Sequence, residues 1–226
     1  MLEEDLFVRW AAASEGARMF RDPEAVVVAC PDLAHWDRLV MAGDPDALGR
    51  LVPEALAATG PSFRPFGPEE LVETVAERVP GLELSARFAW MDTTAPVTLP
   101  VRGAWLGEDE WPEVTALLTE SFPDSYAWPG APGVHRWAGV REGGRLIAVA
   151  AEAWSTPEIG FLGGVATRRE ARGRGLAAAL CGFMTNELLN GRERVALLAD
   201  YDNVAAVATY AKLGFQTRRV AAARAV

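Results

Sequence analysis

The stretch Ile159–Asn190, IGFLGGVATRREARGRGLAAALCGFMTNELLN, sets the strongest constraint on what this chain can become. A β-prone run ends in a charged turn, and an apolar helix begins directly after Gly173 and Gly175. Glycines let a backbone turn its amides outward and come close to a ligand. A helix N-terminus adds unpaired N–H groups and a positive partial charge. Arg172 and Arg174 add guanidinium charge in fork geometry. Together these parts form a cradle for a pyrophosphate, set in an α/β (α+β) fold where helices cover a sheet.

Charge narrows what the cradle serves. The chain carries a net charge of −9 over 226 residues, which excludes a general nucleic-acid binder. The charge is uneven: residues 1–98 hold 17 acids and 8 arginines, and residues 99–226 hold 14 of each sign. Two halves with different surfaces are therefore expected, a domain over 1–95 and a second over 96–226. No apolar run approaches the ~20 residues of a membrane helix. The N-terminus MLEEDLFVRW is acidic where a signal peptide is basic and then apolar, so the expected location is the cytoplasm, with no membrane partner. Cys30 and Cys181 lie far apart in apolar surroundings and read as buried free thiols without metal spacing. His35 and His135 stand alone, so no metal site is expected.

Periodicity supplies the remaining elements. Residues 3–20 read as one helix from Leu6, Trp10, Ala13 and Ala17. Strands are expected over 25–30 and 36–41, and a helix from 43 to 60 with Asp44 as cap, Pro45 at its start and Pro53 inside. An amphipathic helix lies between Pro68 and Pro80, followed by an alternating strand over 82–92. Residues 93–103, TTAPVTLPVRG, form the connector between the halves. Beyond it come a strand over 101–106, a helix over 108–121, and a loop over 122–133 rich in proline and aromatic residues. A hairpin turning at Gly143-Gly144, the opening strand–turn–helix, a strand over 194–200, a helix over 203–214 and a closing strand complete the chain.

Two pyrophosphate cofactors suit the turn. GRGLAA, Gly173–Ala178, matches G-x-G-x-x-A of dinucleotide folds, and Asp200 ends the following strand as a ribose-binding acid would. Against this, several strands precede the turn where a dinucleotide fold has one. The other cofactor is coenzyme A. RGRGLA, Arg172–Ala177, resembles the Arg/Gln-x-x-Gly-x-Gly/Ala signature of the GNAT superfamily of N-acetyltransferases. NVAAVATYAKLGF, Asn203–Phe215, is similar to that family's second hallmark, an Asn, a Tyr seven residues on, then Leu-Gly-Phe. The resemblance covers about residues 100–226 and implies a mostly antiparallel mixed sheet flanked by helices.

The resemblance also implies roles. Acetyl-CoA is the cosubstrate, held by Arg172, Gly173, Arg174, Gly175, Leu176 and Ala177 at the diphosphate. The backbone of Val165, Ala166 and Thr167 pairs with pantetheine where their strand splays from its neighbour. Asn203 lies along the same arm and Tyr210 near the sulfur, both from one helix face, since seven residues differ by about 20°. A phenol with pKa near ~10 can protonate a thiolate leaving group near ~8.5, which makes Tyr210 a general acid; its alternative role is packing under the sheet. A base or water relay must deprotonate the amine, with Glu158 the first candidate and Glu152 and Asp200 behind it. Phe122, Tyr126 and Trp128 are candidates to line the amine site. Transfer is direct, in a ternary complex, because no cysteine or serine is placed as a relay.

The N-terminal half repeats a strand–helix–strand–helix–strand order over 36–92 but lacks both motifs, and is read as a degenerate GNAT-like half contributing to the acceptor cleft, or as an unrelated cap. Its charge favours a cationic acceptor, a small molecule or a peptide. The function expected is an acetyl-CoA-dependent N-acetyltransferase acting on a primary amine; the alternative is a non-catalytic acyl-CoA-binding module. The residues leave oligomeric state open.

Overall fold

The computed structural model describes residues 2–226. The chain forms two compact units, one of Met1–Trp90 with Arg218–Val226, the other of Met91–Thr217. In chain order, a 3-10 turn at Leu2–Glu4 precedes α1 (Leu6–Ala12), β1 (Arg18–Asp22), β2 (Ala25–Leu33) and β3 (Trp36–Gly43). Next come α2 (Pro45–Thr59), β4 (Arg64–Pro68), α3 (Glu69–Arg78) and β5 (Leu82–Thr93). The remainder is β6 (Ala104–Trp105), α4 (Trp111–Ser121), β7 (Val134–Glu142), β8 (Arg145–Ala153), β9 (Ile159–Thr167), α5 (Leu176–Leu189), β10 (Arg194–Asp200), α6 (Val204–Lys212) and β11 (Gln216–Ala225). Short 3-10 turns at Glu108–Glu110 and Arg169–Ala171 lead into α4 and toward α5.

In the first unit the strands run β1-β2-β3-β4-β11-β5. β3 and β4 are parallel across α2, whereas β1/β2, β2/β3 and β4/β11 are antiparallel. The core is aromatic: Phe7 and Trp10 of α1 meet Trp90 edge-to-face at 5.1 and 5.0 Å. Such contacts match positive ring edges to negative faces. The last strand joins this unit because Val220, Ala221 and Ala222 pair with Pro68, Gly67 and Phe66. Strand pairing therefore draws the unit boundaries, where charge had drawn one line after residue 95.

The second unit runs β10-β9-β8-β7-β6, antiparallel except for β9 and β10. This is the expected mixed, mostly antiparallel sheet with helices against it. α5 is buried at Leu176, Leu180, Cys181, Met184 and Leu188. Its outer side is covered too. The Asn186 carboxamide accepts from the Val97 N–H at 2.7 Å and donates to the Val97 carbonyl at 3.1 Å. A Cβ at Gly182 would lie 2.9 Å from Val101, so only glycine lets the 93–103 segment approach this closely. The connector is thus a strap on α5. For the same reason the strand expected over 101–106 shrinks to Ala104–Trp105: the Arg102 N–H donates to the Ala179 carbonyl on the helix.

The helix expected over 3–20 also differs, stopping at Ala12. Gly16, at φ +74°, reverses the chain, and Arg18–Asp22 then pairs along β2. Edge pairing outweighs the weak helical period of the two alanines.

Both units contain one repeated arrangement. In each, an antiparallel pair leads into strand, helix, parallel strand and second helix: β2-β3-α2-β4-α3 in the first, β8-β9-α5-β10-α6 in the second.

Candidate functional site

The site begins where β9 leaves its neighbour. β9 and β10 pair in register from Ile159↔Arg194 to Leu162↔Leu197, and that ladder goes no further, although β9 runs on to Thr167 and β10 to Asp200. On the other side, β8 pairs Ala151 with Gly163 and Val149 with Ala166, which leaves one extra residue on β9. That is a bulge, and Gly164 adopts φ +57° within it. Bending β9 away bares its β10-facing edge over Gly163–Thr167. The expected departure of this strand is what the register describes.

Beyond Thr167 the chain passes the Arg169–Ala171 turn and reaches Gly173 and Gly175, at φ +75° and +74°. Gly175 is the N-cap of α5 with no side-chain cap bond, and a Cβ built on either glycine would meet nothing within 4 Å. The glycines therefore serve backbone conformation and leave open space before the first amides of α5, among them those of Leu176 and Ala177. A diphosphate fits that space and those donors.

The arginines behave otherwise than expected. Arg172 donates through Nε to the Thr167 carbonyl at 3.1 Å and through Nη2 to the Ser121 carbonyl at 2.9 Å. It clamps the turn. Arg174 pairs with Glu142 at 2.7 Å but stays half exposed. Arg168, buried, donates to the Leu146 carbonyl and pairs with Glu120. Much of the guanidinium charge is engaged within the chain, so the open amides are the larger part of the cradle. Among the bare residues of β9, Val165 is half-buried, Ala166 buried, and the Thr167 carbonyl already engaged by Arg172, while Thr167 Oγ1 is buried without a partner.

Asn203 and Tyr210 differ in exposure. Asn203 is the exposed N-cap of α6, its Oδ1 accepting from the Ala206 N–H at 3.1 Å. Tyr210 is 7% exposed, and its hydroxyl shares a hydrogen bond with the Cys181 thiol. Burial lifts the phenol well above its ordinary value, and Cys181 raises it further. Burial likewise pushes the Cys181 thiol up to about 12, with the Tyr210 hydrogen bond pulling in the opposite direction. Both groups hold their protons at neutral pH. A thiol held this way is a poor nucleophile.

The proposed bases separate by register. Glu158 is exposed just before the first residue of β9, seven residues from Val165, or roughly 20 Å along a strand. It is not brought to the bulge. Glu152 is buried, with one oxygen 2.7 Å from Arg136 and the other 2.7 Å from Arg192. Asp200, exposed at the end of β10, would stand level with Val165 if the Leu162↔Leu197 register continued. Register, invisible in the sequence, puts Asp200 at the end of β10 past the last paired residue, Leu197, on the side where β9 bends away.

The 122–133 loop is fixed internally. Trp128 Nε1 donates to the Ser125 carbonyl at 2.6 Å, and Ser125 Oγ to the Ala127 carbonyl at 2.8 Å. Phe122 and Tyr126 are exposed. Ala127, which sequence reasoning passed over, is the loop residue that reaches the bulge: a Cβ at Gly164 would lie 3.1 Å from it. The signal was the Gly163-Gly164 pair, since adjacent glycines in a strand mark close approach.

Known structures share this fold. A GCN5-related N-acetyltransferase from Kribbella flavida superposes with TM-score 0.67 at 19% identity, over 98% of this chain and 96% of that one. A GCN5-related N-acetyltransferase-like protein from Streptococcus suis gives 0.60 at 15% identity, over 100% and 96%. This chain has the GNAT fold. A further GNAT-fold relative, a GCN5-related N-acetyltransferase from Sphaerobacter thermophilus, gives 0.59 at 17%, over 96% and 83%. Residues 138–224 match the family model described as FR47-like protein, a span holding the bulge, the glycine turn and Tyr210. No curated protein matches the chain. Among the described residues no helix is long and apolar enough to cross a membrane.

Proposed function

We propose that the chain is an N-acetyltransferase that moves an acetyl group from acetyl-CoA to a primary amine. The observation carrying this reading is the uncapped N-terminus of α5, opened by left-handed Gly175 at the end of a strand that has just parted from its neighbour. The first unit supplies a contrast. At the corresponding helix, α2, the Asp44 carboxylate accepts from the Asp46 and Ala47 N–H groups at 2.9 and 3.0 Å, and Pro45 has no N–H. One helix start is closed by its own anion; the other awaits one. We therefore read the first unit as a degenerate GNAT-like half without a cofactor site.

Chemically, the amides of Leu176 and Ala177 take the diphosphate, and the bare edge of β9 pairs with pantetheine. The Val165 amide polarises the thioester carbonyl as the amine attacks. Collapse of the tetrahedral oxyanion expels a thiolate, and Tyr210, which holds its proton at neutral pH, is the donor we assign to it. Asp200 receives the amine's proton through water. Cys181, held as a thiol, forms no acyl intermediate, so transfer is direct. The acidic first half favours a cationic acceptor, and two free buried cysteines suit a reducing cytoplasm.

The test is release of free CoA thiol from acetyl-CoA with a panel of small and peptidic amines, beside calorimetric binding of acetyl-CoA. Turnover supports the reading. Binding without turnover assigns a non-catalytic acyl-CoA module, and no binding by the folded chain at millimolar acetyl-CoA sinks both. Asp200→Asn is expected to lower turnover about 100-fold at neutral pH, with acetyl-CoA affinity unchanged.

A further inference from the structure

The bulge on β9 is walled on one face. A Cβ built on Gly164 would lie 2.6 Å from Trp137 Cη2 and 3.1 Å from Ala127 Cβ, and one on Gly163 would lie 3.1 Å from Trp154 Cζ3. Two glycines in succession thus remove the side chains of β9, and two indoles with one methyl fill the room left over. Trp137 is fully buried on β7, and Trp154, at φ +54°, is held by its N–H donating to the Gly133 carbonyl at 2.6 Å. Both rings are buried.

We propose that Trp137, with Ala127 and Trp154, closes the acyl end of the thioester site and limits the transferred group to acetyl. This deepens the acetyl-CoA reading above and rests on it. A carrier gripped at Gly173–Ala177 and paired along Thr167, Ala166 and Val165 brings its thioester to the next residue back, Gly164. Gly164 is half-buried there, on the part of β9 that β10 does not pair. An acyl chain growing toward this face meets the edge of the Trp137 ring, which already stands closer than any Cβ contact allows. Protein interiors yield little to an added methylene. One methylene against a filled pocket changes selectivity by roughly 10- to 200-fold. The wall is built of buried apolar atoms, so the restriction acts on size.

The variant that enlarges the site is Trp137→Leu. Trp137 Nε1 is buried without a hydrogen-bond partner, so the substitution also removes an unsatisfied donor, which offsets part of the lost packing. Ala127→Gly opens the same wall from the loop with a smaller change in volume. The measurement is calorimetric affinity of the full chain for acetyl-CoA, propionyl-CoA, butyryl-CoA and unacylated CoA, which needs no acceptor. The expected wild-type preference for acetyl-CoA over butyryl-CoA is at least about tenfold, falling to near unity in Trp137→Leu and in between for Ala127→Gly. Equal wild-type affinity for the two thioesters overturns the proposal. So does a folded Trp137→Leu that keeps the wild-type ratio; if Trp137→Leu fails to fold, an unchanged ratio in Ala127→Gly overturns it and a lowered ratio upholds it. Loss of binding to every ligand, unacylated CoA included, overturns the acetyl-CoA reading itself and this proposal with it.

Discussion

Replacing Gly175 by alanine separates conformation from contact. Gly175 adopts φ +74°, and a Cβ there meets no heavy atom within 4 Å. The methyl therefore clashes with nothing in the folded chain, and the destabilisation is the backbone term alone. Holding an L-residue left-handed costs about 1–2 kcal/mol. For a chain of this size that lowers Tm by roughly 2–8 °C. Ligand affinity is expected to fall further than this strain explains, because the methyl occupies the space in front of the α5 amides. Losing one hydrogen bond to a charged diphosphate amounts to about 1.5–3 kcal/mol, or ~10- to 150-fold in Kd. Gly60→Ala is the control: its φ is +108°, its Cβ position is equally open, and it ends α2 in the first unit. Calorimetry and thermal melts on both variants decide. The expected result is loss of Tm in both, larger in Gly60→Ala because only glycine favours φ 108°, ψ 169°, and loss of acetyl-CoA affinity only in Gly175→Ala. Unchanged affinity in a folded Gly175→Ala would refute the cradle.

Tyr210→Phe is expected to spare acetyl-CoA affinity and lower kcat by about 100-fold or more, as loss of a general acid does; normal turnover would remove the acid assignment. Asp44→Ala removes both cap bonds of α2 and should destabilise by about 1 kcal/mol in urea unfolding, with acetyl-CoA binding unaffected. Stability should also respond to alkali. Cys181 is raised from 9.0 to about 12, so the folded state holds this proton more tightly than the unfolded chain. Its contribution is complete below pH 9 and is lost as pH climbs from 9 toward 12. Urea midpoints measured over that window should fall less steeply in Cys181→Ala than in the parent; parallel slopes would show that the thiol is not so perturbed.

How the chain divides between what was legible and what was not follows from range. The class of fold, the strand–turn–helix at 159–190 and the hairpin at Gly143-Gly144 depend on residues that are neighbours in sequence. Their signals are glycine conformations, caps and periodicity, all fixed within a few residues. The same is true of the open start of α5 and the closed start of α2, since Gly175 and Asp44 each act on the turn that follows them. Tertiary structure alone decided which strand pairs with which. It sent Arg218–Val226 into the first unit, stopped the β9–β10 ladder at Leu162, and set Glu158 at the far end of β9 from the bulge. It also engaged the arginines of the turn with partners 32 to 51 residues away, Glu142, Glu120 and the Ser121 carbonyl, and joined Tyr210 to Cys181. Composition records that such groups exist. Only the packed sheet determines which of them meet, because a one-residue shift in register changes every neighbour a strand can have.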